Sequence, residues 1–68
     1  MDYQVVLERN GLDIETLYWT GSLNETRELA RRVAVERDAD VIRILQFDGG
    51  GQEVLREERP FGGPEGIS

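Results

Sequence analysis

The chain has 68 residues, with 14 acidic and 8 basic side chains, no histidine, no cysteine and a formal net charge of −6. A chain of this length holds one domain with a marginal core, because it buries only about 60% of the surface its unfolded form exposes. Without cysteine or histidine, disulfides and the common zinc, iron and copper ligand sets are excluded, and self-association is the stabilising device left open.

Residues 3–9 carry Val5, Val6 and Leu7 and predict a first strand. Asn10-Gly11 follows, the pair favoured in a type I′ hairpin turn because both central residues need positive φ. Residues 12–20, with Ile14, Thr16, Tyr18 and Trp19, predict the returning strand. A two-residue turn sets Arg9 opposite Leu12, Leu7 opposite Ile14, Val5 opposite Thr16 and Tyr3 opposite Tyr18, an expected inner face. The same register opposes Glu8 and Asp13, which are alike in charge. It also leaves Val6, Leu17 and Trp19 together on the outer face.

Gly21 breaks the strand, and Ser22-Leu23-Asn24-Glu25 is a capping-box pattern that opens a helix over about 23–38. Leu23, Thr26, Leu29, Ala30, Val33, Ala34 and Arg37 form its expected inner stripe at three- and four-residue steps. Glu28 and Arg32 make a favourable four-residue pair on the wet side. Four acids balance four arginines over this stretch, so the net negative charge lies outside the helix.

Residues 41–47 predict a third strand, apolar on both sides: Val41, Leu45 and Phe47 on one, Ile42 and Ile44 on the other. Asp48-Gly49-Gly50-Gly51 is a turn, and residues 52–58 are a fourth strand. A three-residue loop would set Leu45 opposite Leu55 and Arg43 opposite Glu57, a better match than opposing Arg43 and Arg56. The expected domain is 1–59, followed by a glycine- and proline-rich tail over 60–68 that is expected to be disordered.

The fold class that follows is α+β: strand–strand–helix–strand–strand, a four-stranded mainly antiparallel sheet with one helix packed on one face. With Gly62-Gly63, this element order superficially resembles the ubiquitin-like β-grasp proteins. Only those two features match, and Pro64-Glu65-Gly66-Ile67-Ser68 follows the glycine pair, so a modifier role would require trimming.

No catalytic site is legible. The hydroxyls of Thr16, Thr20, Ser22, Thr26 and Ser68 have neither histidine nor lysine to activate them. Glu57 and Glu58 are adjacent on a strand, point to opposite faces and cannot form one acid–base pair. The triple-glycine turn lacks the lysine and following helix of a phosphate cradle, and Asp48 with Glu53 falls short of a calcium ligand set. No metal or cofactor is therefore expected.

The net charge argues against nucleic acid and anionic membrane as partners. No apolar stretch approaches the roughly 20 residues of a membrane span, and the acidic start lacks the pattern of a leader, so a cytoplasmic location is expected. All eight cations are arginine, a usage that GC-rich coding also produces. Arg27, Arg31 and Arg32 could contact an anionic small molecule or an acidic protein segment, or pair with Glu25, Glu28 and Glu36. The apolar surplus on both sides of the sheet has two readings. One is a bulge or twist that folds some of these residues into one core. The other, a second buried face, gives the leading expectation, a non-enzymatic interaction module. Val6, Leu17 and Trp19 would form the interface of a homodimer, or of a complex with another protein.

Overall fold

The computed structural model of the chain describes residues 2–47 and 50–61. Strands β1 (Asp2–Arg9), β2 (Leu12–Thr20), β3 (Val41–Gln46) and β4 (Glu53–Glu58) form one sheet, with helix α1 (Leu23–Arg37) between β2 and β3 in sequence. The sheet order is β2-β1-β3-β4 and every neighbouring pair is antiparallel. This is the expected α+β architecture, with β1 and β3 at the centre and β2 and β4 at the edges.

Local chemistry accounts for the elements. Asn10 and Gly11 have φ of 56° and 81°, the left-handed values of a type I′ turn, and a β-carbon is tolerated at the second only with strain. Ser22 Oγ accepts from the Glu25 N–H at 3.1 Å, and Glu25 Oε1 accepts from the Ser22 N–H at 3.1 Å, completing the capping box. Gly21 lies so close that an added β-carbon would sit 2.6 Å from Glu25 Oε1 and 3.0 Å from Trp19 Nε1. The far end of α1 closes without glycine. Asp38 takes the left-handed conformation (φ 59°), and the Asp38 and Ala39 N–H groups return to the Val35 and Ala34 carbonyls at 3.2 and 2.8 Å.

The core lies between α1 and the inner face of the two central strands. Val5, Leu7, Ile42, Ile44, Ala30 and Ala34 are fully buried. Small residues on the helix stripe let its backbone approach the sheet. Thr26 is also fully buried, and its hydroxyl donates to the Ser22 carbonyl at 2.8 Å, so no polar group is stranded there. Phe61, at the start of the expected tail, packs against this core. Residues 62–68, which include the Gly62-Gly63 pair, lie outside the described residues, as do Asp48 and Gly49.

Two strand registers differ from expectation, β1–β2 by one bulge and β3–β4 by adopting the disfavoured Arg43–Arg56 pairing with a bulge beside it. In β1–β2 the pairing starts as expected, Arg9 with Leu12 and Glu8 with Asp13, but then skips Ile14. Leu7 therefore faces Glu15, Val5 faces Leu17 and Tyr3 faces Trp19. The extra residue lets both Ile14 and Leu17 pack on the core. Without it, the hydroxyl-bearing Thr16 and Tyr18 would sit under the helix and Leu17 would face water. In β3–β4 the skipped residue is Val54, and Arg43 faces Arg56 while Ile44 faces Leu55. The expected register would have turned Arg56 and Glu58 toward the helix; the observed one puts Leu55 there instead.

Candidate functional site

The bulge in β2 decides which side chains remain available. The sheet face that α1 leaves uncovered carries Val6 on β1, Thr16 and Tyr18 on β2, and Val41, Arg43 and Leu45 on β3. Val6 is only 6% exposed although it lies on the face away from α1. Tyr18 and Phe47 are 64% and 54% exposed, and their rings meet edge to face with centroids 5.5 Å apart. Around the same end of the sheet Asp2, Tyr3, Tyr18, Trp19, Thr20 and Phe47 line a shallow depression of about 390 Å³. Its polar groups are partly self-satisfied, since Thr20 Oγ1 donates to Asp2 Oδ1 at 2.7 Å.

The other half of the uncovered face is occupied by charge. Arg43 Nε donates to Glu53 Oε1 at 2.9 Å and Arg43 Nη1 to Glu8 Oε2 at 3.2 Å. These two carboxylates, Glu53 before Glu8, raise the Arg43 pKa above the ordinary guanidinium value and keep it a cation. Arg56 lies 3.6 Å from Glu58. The opposed Arg43 and Arg56 are thus each supplied with acids from neighbouring positions, which removes the objection to this register. Glu53 is engaged with Arg43, while Asp48, its imagined calcium partner, is outside the described residues.

The sequence-derived interface residues do not share a surface. Val6 is on the uncovered face, whereas Leu17 and Trp19 are on the helix side of the sheet. Leu17 packs against the core, and Trp19, 40% exposed, lies beside Glu25, Glu28, Leu29 and Arg32 of the helix. The expectation of one outer patch is corrected by the bulge, which exchanges Leu17 and Trp19 for Thr16 and Tyr18. Tyr18 and Phe47 are the exposed aromatic pair that sequence reading missed. The available signal was the apolar surplus on both sides of the sheet, for which a bulge is one of the two readings. The Glu8–Asp13 like-charge pairing was no guide, since the structure keeps it.

The three candidate arginines are likewise separated. Arg31 makes a two-pronged bond to Glu57 of β4, Nε to Oε1 at 2.9 Å and Nη2 to Oε2 at 2.7 Å, with both side chains about one-fifth exposed. Arg32 lies on the opposite flank of α1 beside Trp19. The Nε of Arg27, one turn before Arg31, is buried without a hydrogen-bond partner. No anion-binding cluster results from this arrangement.

At the far end, the segment after the helix is fastened by charge. Arg59 Nη2 donates to Asp38 Oδ1 at 2.7 Å and to the Ala39 carbonyl at 2.8 Å. The Asn10 N–H donates to Asp40 Oδ2 at 3.0 Å. Arg9 and Arg59 thereby bring positive charge to the helix C-terminus, where the backbone dipole favours it. No helix among the described residues is long and apolar enough to cross a membrane. Comparison with protein-family models, curated proteins and solved structures gives no significant match.

Proposed function

We propose that this chain is a small, non-enzymatic interaction module that pairs with a second copy of itself through its sheet, acting in the cytoplasm. The observation that carries the reading is the exposed Tyr18–Phe47 pair at the end of the face that α1 leaves uncovered. Large aromatic side chains held in contact are pre-organised, so a partner can cover both with little further ordering. The opposite end of the molecule is different in kind, because its polar groups are already joined to one another through Arg9, Arg59, Asp38 and Asp40. The cytoplasmic assignment is supported by the absence of cysteine from the sequence.

Light scattering across a concentration series tests the reading. Wild type should reach the mass of a dimer at high micromolar concentration, and Tyr18→Asp should remain a folded monomer. A wild type that stays monomeric throughout overturns it.

A further inference from the structure

The aromatic pair supplies contact at one spot only, and association must also offset lost translational and rotational freedom. A second source of contact is needed, and the edges of the sheet differ in what they offer.

Backbone directions follow from two hydrogen bonds. The Asp2 carbonyl accepts from Phe47 N–H at 2.9 Å and the Glu8 carbonyl from Asp40 N–H at 2.7 Å. Even-numbered residues of β1 therefore turn their backbone polar groups toward β3, and odd-numbered ones toward β2. Trp19 and Leu17, opposite Tyr3 and Val5, point theirs back at β1. Thr16, Tyr18 and Thr20 then direct theirs outward, at a free edge. None of the three is charged, and the stretch from Thr16 to Thr20 holds no proline, glycine or ionisable side chain except the tyrosine phenol. Such an edge is an open template for strand addition. On β4 the same reasoning leaves Arg56 and Glu58 outward, with the Val54 bulge at one end and Pro60 just beyond the other. Those are the features by which proteins close an edge.

We propose that β2 pairs antiparallel with β2 of a second copy about a two-fold axis at Tyr18, joining two sheets into one of eight strands. This mode rests on the homotypic reading above and specifies its contact. Tyr18 exchanges backbone hydrogen bonds with the partner's Tyr18, and Thr16 does so with the partner's Thr20. Between them Leu17 faces the partner's Trp19 on the helix side, a close apolar pair at a position without backbone bonds. On the other face the two tyrosines meet, so Phe47, Tyr18 and their partner equivalents form one aromatic row. The occupant is a second copy because the register is self-compatible. Across the paired stretch from Thr16 to Thr20 no charged side chain is present, although Glu15, opposite the partner's Gly21, approaches the Glu25 carboxylate that lies against that glycine. The chain's net negative charge still acts at longer range, so salt strengthens the pairing.

Matched proline substitutions at the two edges test the mode. Thr16→Pro removes an outward N–H from β2, and Arg56→Pro removes one from β4, positions where an edge strand tolerates proline. Thr16→Pro should raise the dimer Kd at least tenfold while keeping the folded circular dichroism spectrum, and Arg56→Pro should leave Kd within about twofold. The wild type gives a measurement independent of either variant. In a mixed-label sample, an intermolecular nuclear Overhauser effect should connect the α-protons of Leu17 and the partner's Trp19. A wild-type dimer that lacks this contact, or that Thr16→Pro leaves intact, overturns the edge mode but keeps the homotypic reading. A monomeric wild type removes both.

Discussion

The two edges of this sheet are built from opposite materials, although each belongs to a hairpin with one bulge. β4 is fixed to the helix by the Arg31–Glu57 ion pair, and Glu53, Arg56 and Glu58 place further charge along it. β2 is fixed by Ile14 and Leu17 packing on the core, and its outer half is uncharged. Charge at an edge both anchors it and excludes further strands, whereas apolar anchoring leaves the edge open. The same bulge device therefore ends with one edge closed and one available.

The sharpest way to break this contrast is to remove the β4 anchor. Glu57→Ala leaves Arg31 part-buried without its two-pronged acceptor and should cost about 2 kcal/mol in urea denaturation. Replacing both residues by leucine should restore most of that loss, because the desolvation penalty disappears along with the pair. A Glu57→Ala variant as stable as wild type would mean that β4 is held by Leu55 and Phe61 packing alone.

A smaller effect is expected where β2 leads into the helix. Ser22→Ala should cost about 1 kcal/mol by removing the acceptor for the Glu25 N–H. Because Glu25 lies beside Trp19, the indole fluorescence of this variant should shift as well. Unchanged stability would place the functional start of the helix elsewhere.

The smallest expected effect is none at all. With Arg31, Arg43 and Arg59 engaged by carboxylates and a net charge of −6, duplex DNA should show no binding by fluorescence anisotropy in physiological salt. A salt-sensitive micromolar complex would show that the arginines act outward after all.

Much of the local structure was legible because it rests on neighbouring residues. Asn10-Gly11 announced its turn, Ser22 and Glu25 their capping box, and the three-and-four spacing from Leu23 to Ala34 its buried and half-buried stripe, whereas Arg37, counted with it, is exposed. The site was less legible. Val6, Leu17 and Trp19 were grouped by assuming an uninterrupted two-residue alternation, and a single extra residue at Ile14 reverses that alternation for everything beyond it. The arginines at 27, 31 and 32 were grouped by proximity in sequence, but 100° per residue around a helix sends Arg31 toward β4 and Arg32 toward β2.

The sequence by itself determined the element order, the hairpin turn, the helix start and the α+β class, because each follows from backbone preferences and side-chain periods within a few residues. Only the tertiary structure decided that β1 and β3 are the central strands, where the bulges fall, and hence that Tyr18 rather than Trp19 occupies the uncovered face. The physical reason is that a bulge has little local signature. It forms where shifting a strand by one residue exchanges Thr16 and Tyr18 for Leu17 and Trp19 on the face beneath α1. That preference exists only once the helix, through Ala30 and Ala34, has been laid across the sheet.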